Sequence, residues 1–280
     1  MLPGVIRRQL EQVLSRNLTG PHEMGQNHLV NPRVAARIVE LIDSVDEPLP
    51  IVEWAAGRGA ITRPLSRLGR PIEAVELDPR STSRLRQAVG SGVTVRQGDI
   101  LRHAPPQHPY DLVSNVPFHL TTPILRRVLR MGDWRRAVLL TQWEVARKRA
   151  SVGGTTLLTA QWWPWYNFTL DLRVPASSFA PRPNVDGGIL VIDRRHEALL
   201  PTVERRCYQQ FVASVFSGRG RGITEILRRQ GLSSRVVGTW GRIHGVCERN
   251  LPRDLAAPAW VDAYRLHLVP RTPRVRRPSP

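Results

Sequence analysis

Four short apolar runs, each closing on glycine, an acid or an amide, constrain this chain more than any other feature. Pro50-Ile-Val-Glu-Trp54 leads into Ala55-Ala56-Gly57-Arg58-Gly59-Ala60, and Ile72-Glu-Ala-Val-Glu76-Leu77 leads into Asp78-Pro79. Val93-Thr-Val-Arg-Gln97 leads into Gly98-Asp99-Ile100, and Tyr110-Asp-Leu-Val-Ser114 leads into Asn115-Val116-Pro117-Phe118. Short apolar runs bounded by turn residues, with helical spacing between them as in 61–68, predict strand–helix units and a parallel sheet. In such a sheet the carboxyl ends lie along one edge, where open α/β folds bind their ligands. Ala137–Thr141 reads as a fifth strand. Phe168–Arg173 and Gly188–Ile192 read as two late strands, an antiparallel pair at one edge. The expectation is therefore an α/β fold with a mostly parallel seven-stranded sheet and helices on both faces.

The turns carry the chemistry. A lone Gly-x-Gly at Gly57 and Gly59 is a weak signal, but glycine is needed where a backbone turns tightly and lets a ligand approach. An acid closing the second strand accepts both ribose hydroxyls of an adenosine-containing ligand, and Glu76 is the candidate. Asp78 instead reads as a helix N-cap, with Pro79 at the first helical position. Asp99 can accept a bond from an adenine amino group. At the fourth strand end, the Asn115 amide oxygen and the Pro117 carbonyl can accept both N–H bonds of an exocyclic amine. They would draw its nitrogen towards tetrahedral geometry, while Phe118 offers a stacking surface for a flat base. Proline stiffens that turn and has no N–H to compete.

These segments, with Gly25-Gln26-Asn27-His28-Leu29, Thr141-Gln-Trp-Glu-Val-Ala-Arg147-Lys148-Arg149 and Phe179-Ala-Pro-Arg-Pro183-Asn-Val-Asp186, resemble the rRNA adenine N6-methyltransferases. The Gln-x-Glu-x-Ala-Arg-Lys-Arg run and the compact basic C-terminal part look more like the Erm branch, which methylates one adenine of 23S rRNA and confers macrolide-type resistance. The sister branch, the small-subunit rRNA dimethyltransferases, shares several of the segments. A DNA adenine methyltransferase, which usually carries an Asp-Pro-Pro-Tyr-like turn, and a non-catalytic RNA-binding protein on the same fold are the other readings. The resemblance implies a Rossmann-like fold, S-adenosylmethionine as cofactor, and a small C-terminal helical domain. Its implied cofactor-binding set is Gln26, Asn27, Leu29, Ala55, Gly57, Glu76, Leu77, Asp99, Ile100 and Asn115, with Gly59. Asn115, Pro117 and Phe118 are its implied catalytic residues. Two departures stand out: His28 where those families usually have phenylalanine, and Ala55 where they usually have glycine. A Cβ at residue 55 would crowd the cofactor if that residue needs positive φ.

The chain's net charge of +18 points to a polyanionic partner. Arg147, Arg149, Arg219, Arg221 and the ring of Phe179 are the candidate RNA contacts, and 23S rRNA is the partner the resemblance implies. No apolar run approaches the ~20 residues that span a bilayer. The eight histidines are singletons without metal-ligand spacing, so no metal is expected. Two cysteines, Cys207 and Cys247, and the lack of a leader pattern predict a reduced, cytoplasmic protein, expected to be a monomer. The expected organisation is a basic arm over 1–22, a cofactor-binding catalytic domain over 23–193, a helical RNA-binding domain over 194–269 and a disordered basic tail over 270–280. The Trp162-Trp-Pro-Trp-Tyr166 cluster reads as core packing around the sheet edge.

Overall fold

The computed structural model describes residues 27–44 and 47–268. The basic arm, Gln26 and the tail over 270–280 lie outside the described residues. Seven strands form one sheet: β1 (Ile51–Trp54), β2 (Ile72–Glu76), β3 (Val93–Gln97), β4 (Tyr110–Asn115), β5 (Trp134–Gln142), β6 (Tyr166–Val174) and β7 (Gly187–Arg194). Their order is β3-β2-β1-β4-β5-β7-β6. The five strands from β3 to β5 pair in parallel, with Trp54 opposite both Val75 and Ser114, and Glu76 opposite Gln97. This register brings the residues following Trp54, Val75 and Ser114 to one edge. A seven-stranded sheet, parallel over five strands and with the two late strands adjacent at one edge, is as expected, although β5, β6 and β7 each run longer than the apolar runs suggested.

The chain divides into two compact units. The first holds the residues up to Ala146 together with Leu170–Val191; the second holds Arg147–Thr169 and the residues from Ile192 onward. In the first unit, α1 (Pro32–Asp43) follows from its spacing. Val34, Ala35, Ile38 and Ile42 fall on one buried face, and Asn31 caps the start by accepting from the Arg33 N–H at 3.0 Å. That face joins a core including Ile51, Ala74, Val113, Val138, Leu140 and Ile189. Each buried valine, leucine or isoleucine of this core contributes about 1.5–3 kcal/mol relative to exposure. The stretch 61–68 forms a short α2 (Thr62–Leu65) followed by a 3-10 turn (Ser66–Leu68) rather than one continuous helix. Helix α3 (Pro79–Ala88) starts as expected: Asp78 accepts from the Ser81 N–H at 2.9 Å and the Ser81 hydroxyl at 2.7 Å. Those bonds, the hydroxyl's above all, hold its carboxyl below the usual carboxylate range. Helices α4 (Thr121–Arg130) and α5 (Trp143–Arg149) follow β4 and β5.

The second unit is helical: α6 (Leu157–Trp162), α7 (Arg205–Phe216), α8 (Ile223–Arg229), α9 (Ser234–His244) and α10 (Ala257–Leu268). The tryptophan cluster is core, as expected: it leads into edge strand β6, whose Tyr166 lies 5.8 Å from Trp162, and it packs with the helices of this unit. Trp165 meets Tyr208 edge-on at 5.7 Å, Tyr208 meets Tyr264 at 5.4 Å, and Arg205 lies over the rings of Trp162 and Trp165. Residues 147–169, assigned from the sequence to the cofactor domain, therefore group with the C-terminal helices. No described helix is long and apolar enough to cross a membrane.

Candidate active site

A cavity of about 410 Å³ opens at the carboxyl edge of the first unit's sheet, a size suited to a small organic ligand. Leu29, Ala55, Gly57 and Asn115 line it, together with Glu53, Arg58 and Arg63 among others. Four of the sequence-derived cofactor residues thus meet in one place. Two more connect to it by hydrogen bonds. The Glu76 carboxylate accepts from the Gly57 N–H at 2.7 Å and the Asp78 N–H at 2.9 Å, which ties the glycine turn to the end of β2. The Asn27 carbonyl accepts from Asn115 Nδ2 at 3.0 Å.

Asn27, His28 and Leu29 are held by the opposite segment as well. His28 and Leu29 pair antiparallel with Ala180 and Phe179, and the Val30 N–H donates to the Ser178 carbonyl at 2.9 Å. This segment and the Asn115 turn therefore share one hydrogen-bonded frame. The turn itself is anchored by Thr121, whose hydroxyl donates to the Phe118 carbonyl at 2.9 Å and lies 3.0 Å from that of buried Thr141. The Pro117 carbonyl accepts from the Leu120 N–H at 2.8 Å. That leaves one of its two lone pairs for another donor.

The remaining site residues do not line this cavity. Gly59 has φ +81°, and a Cβ there would lie 2.6 Å from Leu85 Cδ1, so its bareness serves helix packing rather than ligand approach. Asp99 uses one oxygen to accept from the Leu101 N–H at 2.8 Å, Ile100 is buried, and Leu77 is exposed. Phe118 is half-buried and meets Phe179 edge-on at 5.9 Å. Phe179, placed by the sequence among candidate RNA contacts, is only 3% exposed and instead backs the Phe118 ring. Arg147 and Arg149 are half-buried and bond the Val152 carbonyl and the Thr156 hydroxyl, whereas Arg219 and Arg221 are exposed.

One cavity residue was passed over in the sequence because it sits inside an apolar run. Glu53 is 1% exposed, and its Oε2 has no hydrogen-bond partner. Burial pushes its carboxyl up to about 8, with the nearby Glu76 charge acting in the same direction. The signal was present: a charged residue within Ile-Val-Glu-Trp is costly to bury unless it has work to do. An unpartnered buried acceptor, an acid closing β2 and the positive-φ Gly57 of the turn suit a ligand that carries a ribose and an amino group. The S-adenosylmethionine implied by the resemblance is of that kind.

Ala55 has φ +57°, so the condition under which its Cβ matters is met. A side chain in the left-handed region costs roughly 1–2 kcal/mol, partly offset by the lower entropy of an unfolded alanine chain. Ala55→Gly is therefore expected to stabilise the protein by about 0.5 kcal/mol and to leave ligand affinity equal or tighter. A thermal melt of both forms checks this, and a lower melting temperature in the variant would contradict it.

The model of the family described as "Ribosomal RNA adenine dimethylase" matches residues 18–260. The chain is 51% identical over 251 residues to the mycinamicin-resistance protein MyrB of Micromonospora griseorubida, covering 89% of this chain and 79% of that one. It is 49% identical over 218 residues to an rRNA adenine N-6-methyltransferase of Corynebacterium diphtheriae, covering 78% and 85%. Among solved structures, the 23S rRNA methyltransferase ErmE superposes with a TM-score of 0.79 at 29% identity, covering 86% of this chain and 99% of that one.

Proposed function

Because the chain belongs to the ribosomal RNA adenine dimethylase family, we propose that it transfers methyl from S-adenosylmethionine to N6 of a single adenine in the peptidyl-transferase region of 23S rRNA. It is an rRNA adenine N6-methyltransferase of the Erm type, and the outcome of its activity is resistance to macrolide-type antibiotics. The observation that carries the chemical reading is the convergence of Asn115, Ala55, Gly57 and Glu53 on one cavity. The relatives named above support the choice of base and RNA.

Glu76, the Gly57 turn, Glu53, Asn27 and Leu29 would hold the cofactor, with Asp99 and Ile100 at the end of β3. When bound, S-adenosylmethionine supplies an already electrophilic methyl group. The chain's task is then mostly positioning. Because Asn115 Nδ2 is spent on the Asn27 carbonyl, Oδ1 is the atom left to accept from the adenine amine. The Pro117 carbonyl takes the second N–H, and Phe118, backed by Phe179, stacks the flipped base. No strong general base is required, since the proton becomes acidic once the nitrogen is alkylated. The helical second unit, with exposed Arg219 and Arg221, supplies RNA affinity through phosphate contacts. The protein works as a cytoplasmic monomer on naked or early pre-ribosomal RNA.

The test is transfer of labelled methyl to protein-free 23S and 16S rRNA, with the modified base mapped by primer extension. A single stop in the peptidyl-transferase loop of 23S rRNA is expected. Label in 16S rRNA would move the protein to the sister branch, and label in neither would leave RNA binding alone.

A further inference from the structure

His28 is a titratable group at the cavity that the transfer chemistry does not use. It lines the cavity, and its ring packs on the glycine turn: a Cβ built at Gly57 would lie 3.4 Å from His28 Nδ1. The charged groups acting on it are Arg58, Glu76 and Asp78. Glu53 and Arg63 line the same cavity. The segment paired with it contributes Ala180 to the lining, and the start of α1 contributes Pro32 and Ala35, none of them charged. Burial and then Arg58 lower the tendency of the ring to take a proton, against Glu76 and Asp78.

We propose that His28 is a specificity-determining residue for the cofactor: its neutral imidazole lets the cavity take a sulfonium, and its protonation turns the preference towards the uncharged thioether product. This inference rests on the assignment of the cavity to S-adenosylmethionine. Substrate and product share adenine, ribose, ammonium and carboxylate, and they differ by one methyl and one positive charge. A group acting on the shared parts changes both affinities together. A cation that forms beside the glycine turn disfavours the sulfonium form relative to the thioether; at a separation of about 7 Å and an effective dielectric of about 40, Coulomb's law puts the difference at about five- to tenfold in affinity. With phenylalanine at this position, the usual residue in the families the sequence resembles, no such term exists.

The experiment is calorimetric binding of S-adenosylmethionine and S-adenosylhomocysteine to the full-length protein at about pH 7 and about pH 5, the interval over which a histidine titrates. The ratio of the two Kd values, methylated over demethylated, is expected to rise about five- to tenfold on acidification in the wild type. In His28→Phe it is expected to stay within about twofold, and His28→Asn serves as a second neutral variant should the first fold poorly. A flat ratio in the wild type, or an equal rise in the neutral variants, overturns the proposal while leaving the cofactor assignment standing. If neither ligand binds the wild type, or if filling the cavity with Ala60→Trp leaves both affinities intact, the cofactor assignment fails and the proposal fails with it.

Discussion

Asn115→Ala is expected to lower the rate of methyl transfer by about 10²- to 10³-fold, the scale seen when one preorganised hydrogen-bonding group is removed from a reacting centre. The loss should appear in kcat. Affinity for S-adenosylmethionine should change only about threefold or less, because the glycine turn, Glu76 and Glu53 keep their places without this amide. The expectation follows from the bond between Asn115 Nδ2 and the Asn27 carbonyl, which orients the amide and commits its oxygen to the substrate side. Alanine deletes both the orientation and the acceptor. Single-turnover transfer to 23S rRNA, measured beside equilibrium binding of the cofactor, separates the two effects. A variant with unchanged single-turnover rate would end the proposed role of the turn. One that loses cofactor binding as severely as rate would mean that Asn115 acts chiefly on the cofactor.

The second large effect concerns stability at the opposite end of the sheet. Asp111, the second residue of β4, is fully buried and is ion-paired by two arginines. Arg70 pairs with its Oδ2 and also donates to the Ile42 carbonyl at 3.2 Å. Arg135 reaches it from β5 at 2.7 and 3.1 Å and donates to the Glu47 carbonyl at 2.8 Å. One carboxylate is therefore shared by two arginines, one just before β2 and one near the start of β5. Removing one partner of such a pair leaves buried charge uncompensated and typically costs about 3–5 kcal/mol. Asp111→Ala should accordingly lower the melting temperature by about 10 °C for a chain of this size. Transfer per folded molecule should be preserved at low temperature, because the site lies at the carboxyl edge. A melting temperature equal to that of the wild type would show that the network contributes nothing to folding. A loss of specific activity in the folded protein would show that the two ends are coupled.

The first five strands, the α/β class and the Asp78 cap were legible in the sequence because each depends on local chemistry, whereas the order of the strands in the sheet came from the structure. Apolar runs of strand length, turn residues at their ends and an Asp-Pro pair at a helix start have the same meaning wherever they occur. The juxtaposition of Ala55, Gly57 and Asn115 was legible for a related reason: parallel pairing sends all strand ends to one edge. What the sequence left open depends on long-range partners. Glu53 and Asp111 each look like a charge within an apolar run. One is an unpartnered acceptor at the cavity and the other the centre of a paired network, and only the tertiary neighbours distinguish them. Phe179 carries the same side chain whether it stacks a base or backs Phe118. Its burial against the Phe118 ring, with Gly187 clearing the space beside it, decides for the second. Ala55 is an ordinary alanine until its φ of +57° is known. Local signals determined the elements and the edge on which ligands bind. Burial, charge pairing and backbone conformation at single residues came only from the tertiary structure, because each depends on atoms supplied by segments far apart in the chain.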